Sequence, residues 1–425
     1  MRNSELRERE NGISYALIHL KTVKKKIAEM IYGSARSPSA QFRIEKRPTE
    51  PTRIVGSGLP KAFNRKYPLK AFESPAKAVG FPSKQERKPK RMKIIIDCMG
   101  GDNAPLEILK GVIDAKAELG GDYLLVGHRE QMETIARENG LDISGFEILH
   151  AETVVTMEDD SMAFREKKDS SLTLSLKALA NGDGDILVSA SNTGALFAGA
   201  SLTVRRIKGV HRAALAAILP FNPPVLLLDC GANVTVQPDF LLQFATMGSA
   251  YMKALYGLEK PRVGLLNNGS EEHKGTPLQT EAYQLLKSCP DIHFVGNVEG
   301  NRIPFDACDV LVTDGYTGNV LLKTMEGMGK MFSSRMKGIF YKSLLTKLGA
   351  LTVKKPFMQF KKDFDAKEHG GSPILGLRKP VIKAHGSSDA RAFKNAIRQA
   401  MRFAESGATA TIESLLGTEA SAGKE

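Results

Sequence analysis

An α/β fold, with a largely parallel sheet and helices on both faces, is predicted by three observations. Short Val/Ile/Leu runs recur from residue 93 to about residue 330, with helical stretches between many of them. The runs are near-continuously apolar, the pattern of strands buried on both faces. Each leads into a polar loop, and sheets of this class bind ligands beyond the carboxyl ends of their strands.

The strand candidates are 93–97, 123–126, 146–149, 185–189, 225–229, 262–267, 292–295 and 309–313. Helical candidates include 106–119, 170–181, 241–256, 280–287 and 320–328. The first strand, Lys93-Ile-Ile-Ile-Asp97, opens into Cys98-Met-Gly-Gly-Asp-Asn-Ala-Pro105. Asn103 suits the cap of the next helix and Pro105 its first turn. Gly100 and Gly101 let backbone N–H groups approach an anion, and the helix start behind them adds positive potential. A late strand, Val381-Ile-Lys, is followed by a His-Gly-Ser-Ser loop and a helix from Ala390.

The 425 residues suffice for one large or two ordinary domains. The net charge of +13 suggests nucleic acid or a membrane until it is located. Residues 1–91 carry 22 Lys and Arg against 8 Glu and no Asp, whereas residues 92–425 carry 38 basic against 39 acidic residues. The body is thus near neutral, which excludes nucleic-acid binding for it. The basic segment 1–91 has three open readings: a disordered extension, a start placed upstream of a true one at Met92, or a targeting peptide. The body is expected over 92–410, with 411–425 a C-terminal tail. No apolar run is long enough to span a membrane. Cys98, Cys230, Cys289 and Cys308 lack metal-type spacing, and the first two read as small buried residues in a reducing cytoplasm. No metal site is expected.

Six loops can carry chemistry. The first holds Asp97, Gly100, Gly101, Asp102 and Asn103. The second, Ala190-Ser-Asn-Thr-Gly-Ala-Leu196, has Asn192 and Thr193 at a cap and Gly194 beside them; it reads as a capped helix or as a phosphate cradle. Asp229-Cys-Gly-Ala-Asn233 offers Asn233 as an amide donor, or is a simple turn. Asn267 to Thr276 contains Lys274, a cation for phosphate or a thioester carbonyl, or else a solvated lysine. Asp314-Gly-Tyr-Thr-Gly-Asn-Val320 sets Thr317, Gly318 and Asn319 near converging helix amides, with Asn319 a candidate oxyanion donor. The late loop adds His385, Ser387 and Ser388, and His385 can orient the loop or catalyse. There is no Gly-x-Ser-x-Gly elbow, no ATP-type loop and no Gly-x-Gly-x-x-Gly fingerprint, so a serine hydrolase, an ATPase and a nicotinamide dehydrogenase are disfavoured.

These motifs, in this order, resemble the phosphate acyltransferases of bacterial phospholipid synthesis. The resemblance rests on Met99-Gly-Gly-Asp102, Ser191-Asn-Thr-Gly-Ala195, Asp229-Cys-Gly-Ala-Asn233, Gly264-Leu-Leu-Asn267 with Lys274-Gly275, Asp314 to Val320, and His385-Gly-Ser-Ser388. It covers residues 92 to about 405. Ser191, Asn268 and Tyr316 depart from the usual family pattern. The resemblance implies a fold like isopropylmalate dehydrogenases and phosphotransacetylases, a homodimer, and no cofactor. It implies transfer of a fatty acyl group from acyl carrier protein to inorganic phosphate, feeding glycerol-3-phosphate acylation. Phosphate held by the loops would attack the thioester directly, with Lys274 neutralising charge and Asn319 stabilising the oxyanion.

Between 337 and 362 there are seven Lys and no acidic residue, interleaved with large apolar residues. Phe340, Leu344, Leu348 and Leu351 are spaced as one helical stripe. The expectation is a projecting helical hairpin over 332–372. It would dimerise and touch anionic lipid, near a membrane glycerol-3-phosphate acyltransferase, in a cytoplasmic, peripherally membrane-associated enzyme. Some of these Lys can instead receive acidic acyl carrier protein. The competing functions are a short-chain phosphotransacetylase and a catalytically silent membrane scaffold.

Overall fold

Ile94, Ile95 and Ile96 are all fully buried, yet they serve two different cores: Ile94 and Ile96 pack on one face of the sheet and Ile95 on the other. Alternate side chains of a strand point to opposite faces, so a three-isoleucine run requires helices on both. The structure, a computed structural model, describes residues 92–363, 368 and 370–417. The expectations for residues 1–91 lie outside the described residues.

Eleven strands form one sheet: β1 (Lys93–Asp97), β2 (Asp122–Gly127), β3 (Glu147–His150), β4 (Ile186–Ser189), β5 (Ala214–Leu219), β6 (Val225–Leu228), β7 (Arg262–Asn267), β8 (His293–Glu299), β9 (Val310–Val312), β10 (Ser372–Leu375) and β11 (Val381–Lys383). Their order is β3-β2-β1-β4-β11-β10-β5-β6-β9-β7-β8. The first five are mutually parallel, as are the last four. Pairing is antiparallel at β11/β10, β10/β5 and β5/β6. The two parallel blocks therefore run in opposite directions. The carboxyl ends of the two blocks therefore point opposite ways along the sheet, and the site loops leave it in two groups.

The helices fit the expected bounds to within three residues, except that the one expected over 320–328 spans Gly315–Phe340. They are α1 (Leu106–Leu119), α2 (Arg129–Glu138), α3 (Ser171–Asn181), α4 (Thr193–Gly199), α5 (Pro238–Tyr256), α6 (Pro277–Ser288), α7 (Gly315–Phe340), α8 (Leu344–Asp363), α9 (Ala390–Glu405) and α10 (Ala408–Gly417). Short turns of helix lie at Ala163–Glu166 and Ile303–Phe305, and a π-helical stretch, Ala200–Arg205, continues α4. Four differences have physical causes. α1 starts at the expected Leu106, but Pro105 rather than Asn103 stands at its cap, the Asn103 carboxamide donating instead to the Ser388 carbonyl (3.1 Å). β5 and β10 carry weak strand signals, being alanine-rich and proline-containing respectively. Residues 411–417 are no tail: Ile412 and Leu416 of α10 are buried in the core. Finally, the stripe Phe340, Leu344, Leu348, Leu351 does not lie on one helix. Phe340 ends α7, Leu344 begins α8, and the Phe340 ring meets Phe357 edge-on at 5.1 Å across the hairpin.

Candidate active site

Three loops of the first block meet at one point. Gly101, with φ +99°, lies where any Cβ would strike the Gly386 carbonyl, and Gly100 approaches the Ser191 amide as closely. The Asp102 N–H donates to the Gly386 carbonyl (2.9 Å), and the Asn103 amide ties on Ser388. Beneath them Asp97 is fully buried. Its carboxylate accepts from Ser189 Oγ (2.7 Å) and the Met99 N–H (3.3 Å), while Ser189 Oγ accepts from the Ser191 N–H (3.1 Å). Burial pushes the Asp97 pKa up, and the surrounding hydroxyls pull against it. Above, Asp102, Asn103, Gly194, His385 and Ser387 are exposed, and Thr193 is half-buried. His385 Nδ1 accepts from Ser387 Oγ (3.0 Å), and partial burial of the ring, followed by the Lys323 cation, keeps its pKa below the usual histidine value. The result is a rim of glycines, hydroxyls and amides.

The second group gathers on the first turns of α7. Asp229, fully buried, accepts from the backbone N–H groups of Leu215, Ala232 and Asn233 and from the Asn233 side chain (2.6–3.2 Å). Burial raises its pKa against these bonds. Asp314 caps α7 by accepting from the Thr317 N–H (2.8 Å) and Thr317 Oγ1 (2.7 Å). Gly315 donates to the Asn233 carbonyl (2.7 Å), and Gly318 sits hard against the Asp229 carbonyl. Asn319 is exposed, its carboxamide beside Gly231 and without a side-chain hydrogen bond among the described residues. One turn further, Lys323 exerts its charge on Cys230 of this group and on Lys383 and His385 of the other.

The loop after β7 is a third element. Asn267 donates its amide to the Lys274 carbonyl (3.0 Å), and the Lys274 stem lies over Gly269. Among the described residues the Lys274 ammonium has no ion pair, and no hydrogen bond joins it to Asn319. His273 is exposed on the same loop.

The chain's residues 92–411 match the family model described as fatty acid synthesis protein. A phosphate acyltransferase of Thermoanaerobacterium thermosaccharolyticum is 43% identical over 338 residues, spanning 78% of this chain and 100% of the relative. One of Acetivibrio thermocellus is 47% identical over 320 residues, 75% of this chain and 94% of the relative. The chain belongs to the phosphate acyltransferase family. As a phosphate acyltransferase it is an enzyme of acyl transfer. Its fold is similar to that of a Streptococcus pyogenes phosphotransacetylase, with TM-score 0.51, 17% identity, and 74% of this chain and 94% of that one covered.

In this phosphate acyltransferase several expected ligands are committed inside the protein. Asp97 is sealed from solvent. Asn192 donates to the Met157 and Asp159 carbonyls and accepts from the Ala195 N–H. Asn233 also donates to the Ala213 carbonyl, and Ser388 Oγ donates to the His385 carbonyl. Thr317 Oγ1 donates to Asp314, but the residue itself is exposed. Asp97, Asn192, Asn233 and Ser388 thus bond inside the protein, while Asn319 and most of the rim are exposed. Cys98 and Cys230 are buried, and burial holds both thiols protonated. Lys383 escaped sequence reasoning, although a lysine inside the apolar strand Val381-Ile-Lys is itself a signal. It is 8% exposed, and burial pushes its pKa down to about 8.

Proposed function

We propose that the chain transfers a fatty acyl group from acyl carrier protein to inorganic phosphate. A phosphate oxygen attacks the thioester carbonyl, the C–S bond breaks, and the carrier thiolate leaves and takes a proton. Acyl phosphate remains for glycerol-3-phosphate acylation, without a covalent enzyme intermediate. The observation that carries this reading is the meeting of the loops after β1, β4 and β11 in one glycine-lined rim, suited to an anion. Gly100 to Asn103, Thr193, Gly194, His385 and Ser387 bind phosphate there. Lys274 and Asn319 stabilise the negative charge that develops in attack. No cofactor takes part.

A second reading, a short-chain phosphotransacetylase using acetyl-CoA, shares this chemistry. The long-chain reading is favoured by the apolar residues exposed on the α7–α8 hairpin: Ile339 is 56%, Leu344 80% and Leu351 66% exposed. Inorganic phosphate supplied with palmitoyl-acyl carrier protein and, separately, with acetyl-CoA tests the reading. Trapping the products with hydroxylamine should give palmitoyl hydroxamate from the first mixture. Acetyl hydroxamate alone would favour the second reading, and neither product would leave a membrane scaffold.

The hairpin is proposed as a dimer contact and a peripheral anchor on the cytoplasmic face, near the membrane glycerol-3-phosphate acyltransferase. No helix among the described residues is long and apolar enough to cross a bilayer. Lys354 and Lys355 are exposed on α8. Converting both to Glu should weaken flotation with anionic vesicles, since each surface Lys contributes about 1 kcal/mol of attraction. Unchanged flotation would count against the lipid contact and leave the dimer contact standing.

A further inference from the structure

The Lys383 ammonium sits at the junction of the three loops that build the rim. It donates to the Ala190 carbonyl in the loop after β4 (3.2 Å) and to the Ala384 carbonyl in its own loop (2.7 Å). The Ala190–Ser191 segment it holds is gripped from below by the Asp97–Ser189–Ser191 chain and abutted by Gly100. The Ala384 segment leads within two residues to Gly386, whose carbonyl receives the Asp102 N–H. One buried cation therefore couples all three strands' exits. A buried ammonium without a role is costly, because its charge must be desolvated and its protons satisfied by fixed carbonyls.

We propose that Lys383 is the positioning residue of the anion site: by tying the Ala190 and Ala384 carbonyls to one buried charge, it sets the affinity for phosphate. This rests on the functional reading above. The groups facing its ammonium are Asp97 on β1 and Asp102 behind it, which favour the charged form, and Lys323 on α7, which opposes it. His385 lies two residues along. Burial outweighs the two carboxylates, so the charge is present below about pH 8 and lost as pH rises through that value. Loss of the proton leaves a weaker clamp and removes a positive charge from beneath the anion. Phosphate should bind more weakly as pH rises.

Calorimetric titration of the full chain with inorganic phosphate, together with steady-state kinetics, tests this. Between about pH 7.5 and 9.5, with Kd referred to the phosphate dianion present at each pH because phosphate itself completes its second ionisation in this range, wild-type Kd should rise with pH about a midpoint near 8. Lys383→Met should raise Kd and the KM for phosphate about tenfold or more, as expected for losing charge-assisted hydrogen bonds. Its kcat at saturating phosphate should hold within about twofold, and its Kd should be flat with pH. Lys379→Met, which removes a lysine bound to the Gly184 carbonyl at the other end of β11, should change neither. A wild-type Kd that stays flat up to the ordinary lysine range, about pH 10, overturns the proposal without recourse to any variant. So does a Lys383→Met protein that folds and binds phosphate normally. If wild type binds phosphate with the expected pH dependence but makes no acyl phosphate, the functional reading fails and the role of Lys383 in anion binding stands. If acyl phosphate forms and Lys383→Met is silent, the opposite holds.

Discussion

Asn319→Ala is expected to lower kcat for acyl-phosphate formation about 100- to 1,000-fold, the usual loss when one oxyanion donor is removed. The side chain is exposed on the second turn of α7, and it is not needed to hold that helix: the cap comes from Asp314, and Gly318 N–H already donates to the Asp314 carbonyl. Thermal stability should therefore change little, and KM for phosphate should stay near the wild-type value. Lys274→Ala should lower the same rate, because its ammonium is unpaired among the described residues while its backbone is held by Asn267. Both variants retaining near-normal production of acyl phosphate would sink the assignment of these residues. Loss of phosphate affinity with an intact kcat would instead move Asn319 to ground-state binding.

Gly318→Ala should be the most destabilising single methyl added to the site, by about 3 kcal/mol or more. A Cβ at residue 318 would lie 1.9 Å from the Asp229 carbonyl oxygen, and that neighbour is backbone. The Asp229 loop has little freedom to yield, since its carboxylate is tied to Leu215, Ala232 and Asn233. Relief would have to come from moving α7 outward, which carries Asn319 with it. Activity and stability should fall together. At Gly327, on the same helix, an added methyl would have nothing within 4 Å. Gly327→Ala should accordingly stabilise the helix by about 0.8–1 kcal/mol. Urea midpoints of the two variants against wild type would check the contrast. Equal midpoints would mean that the α7–Asp229 contact is looser than its geometry indicates.

The sheet's strands were readable because their cause is local. Ile94 to Ile96, Val225 to Leu228 and Val310 to Val312 are short apolar runs that cannot remain in water, and each ends in an Asp or a glycine-rich turn. The Asn192 cap was equally local, reaching three residues on to Ala195, whereas the Asp314 cap on Thr317 went unread because that helix was expected only from residue 320. The hairpin stripe failed for the same local reason in reverse, since helical spacing continues on paper through the turn at 341–343 where the helix does not.

What the sequence determined by itself was the α/β class, nine of the eleven strands in their order, and the loops in which chemistry can reside. These follow from apolar periodicity and turn residues, which act over a few positions. Only the tertiary structure decided that the two parallel blocks run in opposite directions, and that Asp97, Asn192, Asn233 and Ser388 shape the site from inside. It alone revealed a buried lysine joining the loops. The deciding bonds are non-local: Ser189 reaches Asp97 across 92 positions, Lys383 reaches Ala190 across 193, and Asn103 reaches Ser388 across 285. A polar side chain at a strand end can face a ligand or its own fold, and which it does depends on the partners that folding brings within about 3 Å.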